Sequence, residues 1–98
     1  MSAEPTGKTR RHVYVNGLVQ GVGFRWYCQR SADNRSLAGW VRNLPDGRVE
    51  LEVEGPTPEV ETFLADIRRG PPGARITDLQ VGDLEPQEET GFMIRFDL

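Results

Sequence analysis

Between residues 48 and 54 the chain alternates strictly, with Val49, Leu51 and Val53 on one side and Glu50, Glu52 and Glu54 on the other. A period of two predicts a strand with one buried face. The three carboxylates are expected on a solvated face rather than in a metal site, because no His or Asp converges with them. Val13 and Val15 show the same spacing after His12, which is read as a strand-edge residue opening the first strand. Phe92, Ile94 and Phe96 alternate in a final strand. Leu37 to Asn43 reads as another strand, closed by the turn Leu44-Pro45-Asp46-Gly47, where proline presets φ and glycine accepts φ > 0. Arg75 to Gly82 carries Ile76, Leu79 and Val81, and its alternation slips after Ile76, which predicts a bulge. Residues 83–90 form an acidic loop.

Two stretches change period. Phe24, Tyr27, Cys28, Ser31 and Ala32 follow i, i+3, i+4, i+7, i+8 and predict a helix over Phe24–Arg35 with Trp26 half exposed off the stripe. Its end lacks a glycine, so Asn34 is expected to take the left-handed cap. Val60, Phe63, Leu64 and Ile67 mark a second helix. Thr57 is expected to cap it, Pro58 suits its first turn, Glu59 and Glu61 complement its dipole, and Gly70-Pro71-Pro72 stops it. The order strand, helix, strand, strand, helix, strand, strand predicts an α+β fold. Its expected form is a ferredoxin-like split βαβ sandwich, with two helices on one face of a mainly antiparallel five-stranded sheet. Residues 1–11 are polar and read as a disordered lead-in; residues 12–98 form the domain.

Composition narrows the function. Ninety-eight residues, 24 of them Leu, Ile, Val or Phe, support one domain with one core. No apolar run approaches the length of a membrane span and no charged-then-apolar leader precedes the domain. A formal charge of −3 argues against broad nucleic-acid binding, which needs clustered Lys and Arg. Cys28, the sole cysteine, permits no internal disulfide and fits a reducing cytoplasm; among apolar neighbours it reads as a core residue. The sequon Asn34-Arg35-Ser36 is a chance match expected without a secretion signal.

One stretch carries chemistry: Gly17-Leu18-Val19-Gln20-Gly21-Val22-Gly23-Phe24-Arg25. It joins a strand to a helix through glycines free to turn backbone N–H groups inward. The helix start adds unpaired N–H groups and the positive end of its dipole, and Arg25 adds a planar charged fork. This describes a socket for a phosphate or carboxylate. No Gly-Lys-Ser/Thr follows and the third glycine of a dinucleotide fingerprint is missing. From these residues alone, an anion socket and a structural turn with a surface arginine stand level. Asn43, taken alone, reads as a turn-initiating residue, and Arg42 as a surface residue on the opposite face.

Gly17-x-Val19-Gln20-Gly21-Val22-x-Phe24-Arg25 resembles the first signature of the acylphosphatase family. Gly39-Trp40-Val41-Arg42-Asn43-x-x-x-Gly47-x-Val49, with Gly55 beyond, resembles the second. The likeness extends over about residues 12–98. It implies hydrolysis of small acyl phosphates to carboxylate and inorganic phosphate, with the phosphoryl group held by Arg25 and the backbone N–H groups of Gln20, Gly21, Val22, Gly23, Phe24 and Arg25. By the same resemblance Asn43 orients the attacking water, and neither metal nor cofactor is needed. A cytoplasmic monomer without nucleic-acid or membrane partners is expected. Two positions depart from the family: Leu18 stands where relatives often carry a basic residue, and Arg35-Ser36 where they commonly carry leucine and a helix-ending glycine. The rival readings are a non-catalytic anion-binding module of the same fold, a segment of a larger carbamoyl-transfer maturation protein and a nucleic-acid-binding domain. The chain stops at Leu98 without following cysteine pairs for zinc, so a free-standing enzyme is expected. The choice among acetyl phosphate, carbamoyl phosphate and a glycolytic acyl phosphate is left open.

Overall fold

The computed structural model describes residues 7–96. The elements run β1 (Lys8–Leu18), α1 (Phe24–Asn34), β2 (Ala38–Asn43), β3 (Val49–Pro56), α2 (Thr57–Arg69), β4 (Arg75–Leu84) and β5 (Phe92–Ile94). Strands lie in the order β4-β1-β3-β2-β5, antiparallel throughout except for the parallel pair β2–β5. Val13, Val15, Val41, Val49, Leu51 and Val53 share one face and meet Phe24, Cys28 and Ala32 of α1 and Val60, Phe63, Leu64 and Ile67 of α2. Both helices therefore cover the same side of the sheet, as the alternation requires. Cys28 is fully buried among them, and burial pushes its thiol above the ordinary value, so it serves as a small core residue.

The opposite face differs from expectation. Glu50 and Glu54 are buried, 8% and 2% exposed, instead of solvated. Across the strands lie cations. Arg10 reaches Glu52 at 2.7 Å and Glu54 at 2.9 Å, while Glu50 accepts from Arg42 Nε at 2.9 Å and lies 2.7 Å from His12 Nε2. The aliphatic stems of these long side chains cover the carboxylates they pair with. His12 is thus no edge residue: β1 lies between β3 and β4, and His12 faces Glu52 on one side and Gly82 on the other. Arg42 does point away from Asn43, but it is partly covered, with its guanidinium over Trp40. Burial raises the Glu54 carboxyl, yet the backbone N–H groups of Gln87 and Glu88 and the Arg10 guanidinium outweigh it and hold it below its ordinary value of 4.5. A depressed carboxyl stabilises the fold above that value, and the contribution is lost as pH falls through the lower folded value. Arg10→Ala is therefore expected to cost about 3–5 kcal/mol in urea unfolding, since it strands a buried charge, and to flatten the stability curve below pH 4.5.

Other boundaries shift for local reasons. Residues 1–6 of the expected lead-in lie outside the described residues, but Lys8 to Arg11 belong to β1, paired with Pro56 to Val53. Helix α1 ends with Ser36, not Asn34, in the left-handed conformation (φ 56°). Leu37 N–H donates to the Ala32 carbonyl (2.9 Å) and Ser36 N–H to that of Asp33 (3.1 Å), the paired bonds of a Schellman close. Thr57 does not cap α2. Its hydroxyl donates to the Gly7 carbonyl at 2.6 Å, tying the start of β1 to the helix. The predicted bulge is present: Asn16 faces Asp78 and Gly17 faces Ile76, which leaves Thr77 unpaired in register. Gly17 is required there, because a Cβ at its φ of 133° would collide with the Arg75 carbonyl. β4 runs two residues beyond Gly82, and β5 stops at Ile94, which leaves Phe96 beyond the strand and 78% exposed.

Candidate active site

The loop between β1 and α1 is anchored by Val19, buried in the core. Gly21 and Gly23 both take left-handed conformations, φ 77° and 76°. A Cβ at either would meet nothing within 4 Å, so backbone geometry and not space demands glycine. Gly23 is the residue before α1. It offers no side-chain cap, and the first turn of α1 has no acidic residue, unlike α2 with Glu59. The positive end of α1 is therefore left without a negative side chain of its own.

Arg25 lies in that first turn. Its guanidinium carbon is 4.9 Å from the Phe96 ring centroid, and it makes no ion pair among the described residues. By contrast Arg10, Arg11, Arg35, Arg42, Arg48 and Arg69 all reach carboxylates. Asn43 closes β2 in register with Val49 on the helix-covered face. Its Oδ1 is buried and has no hydrogen-bond partner among the described residues. A buried acceptor without a donor is costly, about 1–3 kcal/mol, so this one marks a function or a strain.

These groups meet in one cleft of about 180 Å³. Gly21, Gly23, Phe24 and Arg25 line it from the loop and helix, Asn43 from β2, and Phe96 from beyond β5. Of the residues singled out in the sequence, Val22 turns to a neighbouring groove. Phe24 is 2% exposed, with its ring in the core, so it offers the cleft mainly its backbone. The side chain of Gln20 does something the sequence did not suggest. Its Nε2 donates to the carbonyls of Leu44 (2.8 Å) and Arg48 (2.9 Å), at the two ends of the turn after Asn43. No local pattern could have shown this, because those carbonyls lie 24 and 28 residues further on. Trp26 and Phe96 also border the cleft; the exposure of Trp26 was expected, but its place at the site was not. Leu18 is 60% exposed and brings no charge. His12 projects from the other face of the sheet.

The arrangement offers an uncapped helix start, left-handed glycines, a guanidinium held by a ring and an unpaired amide oxygen. It can hold a tetrahedral anion and orient a donor beside it. Among the described residues no three His, Cys, Asp or Glu side chains are grouped as metal ligands.

Comparison with known proteins places the chain in a family. Residues 11–94 match the family described as Acylphosphatase. The acylphosphatase of Moorella thermoacetica is 50% identical over 86 residues, covering 88% of this chain and 92% of that protein. The crystal structure of acylphosphatase from Bacillus subtilis superposes with a TM-score of 0.85 at 41% identity, covering 89% of this chain and 98% of the other. The crystal structure of T. kodakarensis HypF gives a TM-score of 0.78 at 36% identity, with 91% of this chain covered but 12% of that larger one.

Proposed function

The chain belongs to the acylphosphatase family, and from that premise we propose how its residues hydrolyse the carboxyl–phosphate anhydride of a small acyl phosphate. The phosphoryl group lies against the backbone N–H groups of residues 20–25 and under the Arg25 fork. Charge that spreads over the equatorial oxygens in the transition state meets donors already in place. Asn43 Oδ1 accepts one hydrogen of a water and so directs the water oxygen at phosphorus, in line with the scissile bond. The new P–O bond forms as the bond to the acyl oxygen breaks, and the carboxylate leaves with the electron pair. A carboxylate is a good leaving group, so no strong general acid is needed. The water's proton passes to a phosphate oxygen of the substrate. His12 takes no part, since it lies with Glu50 across the sheet.

The observation that carries this reading is the buried Oδ1 of Asn43 beside Arg25, the one without a hydrogen-bond partner and the other without a carboxylate among the described residues. Acyl phosphate hydrolysis requires those two elements: a cation for the phosphoryl group and an acceptor for the water. The reading extends to a cytoplasmic monomer acting without cofactor, nucleic acid or membrane. The −3 charge, the single buried thiol and the lack of any described helix long and apolar enough to cross a bilayer support it. The test is release of inorganic phosphate from acetyl phosphate with a chelator present. Turnover that survives chelation is expected. Phosphate binding without turnover would instead make the chain an anion-binding module.

Gln20 enters as a positioning residue. Gln20→Ala frees the turn that follows Asn43 from the anion loop. It is expected to lower kcat about tenfold, since small displacements of an aligned group are costly. Phosphate inhibition is expected to stay within about twofold, because the loop N–H groups remain. Equal losses in kcat and phosphate affinity would show that the clamp merely holds the loop together.

A further inference from the structure

A cleft of about 180 Å³ is small beside the roughly 300–1,000 Å³ of ordinary ligand pockets. It has room for a phosphoryl group and a short acyl chain. The rest of any larger acyl phosphate must lie outside, and the surface beside the cleft is shaped. A second groove of about 470 Å³ shares Gly23 and Trp26 with it. Val22 and Trp26 form one side, and Pro71 and Pro72 the other. The wall is stiff: proline fixes its own φ, and the ideal Cβ position of Gly73 lies 3.8 Å from Val22, so the turn is packed against the loop.

Arg30 also lines the groove. It is one helical turn beyond Trp26, on the same side of α1, with its guanidinium carbon 4.6 Å from the Trp26 ring centroid. It makes no ion pair among the described residues. The other cation nearby, Arg69, is already neutralised, with Nη2 2.6 Å from Asp66 Oδ1. Arg30 and Arg25 thus share a trait: each is held by an aromatic ring and leaves its donor fork unspent. They stand five positions apart on α1, about 7.5 Å of axial rise and about 140° around the helix, with Trp26 between them.

We propose that the groove is the subsite for the acyl group, and that it favours acyl phosphates with a flat apolar body ending in a second carboxylate, which Arg30 binds. The inference rests on the acylphosphatase reading of the cleft and adds a preference within that reaction. Trp26 and the proline pair take the body by apolar contact. Arg30 takes the distal carboxylate as a charge-assisted pair. Because Arg30 is exposed, the pair is weak and screened by salt. The preference is therefore expected to be modest.

The probes are 4-carboxybenzoyl phosphate and its uncharged isostere 4-carbamoylbenzoyl phosphate, with acetyl phosphate as a substrate too short to enter the groove. The readout is the ratio of kcat/KM for the carboxylate over the carboxamide, in wild type and in Arg30→Gln. Comparing the two proteins cancels the intrinsic reactivity of the compounds. The wild-type ratio is expected to exceed that of the variant by about threefold to fivefold at low ionic strength, the scale of an exposed ion pair. The difference is expected to shrink in 0.5 M salt, a concentration at which the screening length is about 4–5 Å. Trp26→Ala is expected to raise KM severalfold for both aryl compounds. Equal ratios in the two proteins, with acetyl phosphate turned over, would overturn the subsite alone. No turnover of acetyl phosphate by wild type would overturn the reading beneath it.

Discussion

Lysine in place of Arg25 is expected to rescue little of what alanine removes. Arg25→Ala should lower kcat/KM for acetyl phosphate by about 10³-fold or more, and Arg25→Lys should remain at least about 10²-fold below wild type, near the scale of losing one preorganised donor. The reasoning starts from shape. The guanidinium is a rigid fork that makes two parallel bonds to phosphate oxygens, whereas an ammonium is a compact charge on a flexible stem. Here the plane is also held, since Phe96 stacks on Arg25 with 4.9 Å between guanidinium carbon and ring centroid. A lysine would restore the field and lose both the fork and the stack. Arg25 makes no ion pair among the described residues, so either variant should keep the thermal midpoint within a few degrees. The measurement is inhibition by inorganic phosphate beside turnover. Wild-type phosphate affinity in the lysine variant would show that charge alone holds the anion.

How much of this was legible in the chain depends on where each residue's partner lies. Val49, Leu51 and Val53, the stripe of α1 and that of α2 were readable because burial repeats with the local period. The bulge opposite Gly17 was readable because alternation broke after Ile76. Glu50 and Glu54 were misread because period shows which side a residue faces and not what covers it; their partners are Arg10, His12 and Arg42 on neighbouring strands. Ser36 was missed because non-glycine residues seldom adopt φ > 0, and here the two closing hydrogen bonds and a buried Leu37 hold it there. At the site, the glycines of the loop could be read from backbone need alone. The meeting of Arg25 with Asn43, 18 positions apart, could not: it depends on β2 lying beside β5 and under α1, and on Phe96 arriving from the far end of the chain.

Asn43→Ala is expected to separate chemistry from binding and from folding. Turnover of acetyl phosphate should fall by about 10²-fold or more, while inhibition by inorganic phosphate stays near wild type, because the loop N–H groups and Arg25 are untouched. Stability gives the sharper reading. An asparagine that served the fold would spend its amide on backbone groups, and its loss would cost about 1 kcal/mol per hydrogen bond. The Oδ1 of Asn43 is buried with no such partner among the described residues. Removing it relieves a desolvation penalty, so the alanine variant should unfold no earlier in urea than wild type, and later if the end of β2 packs as before. Asn43→Asp keeps the shape and adds a negative charge at the cleft, which should weaken phosphate binding as well as turnover. That contrast follows only if the amide faces the anion. An alanine variant that unfolds early and loses phosphate affinity together with turnover would make Asn43 a residue of the turn.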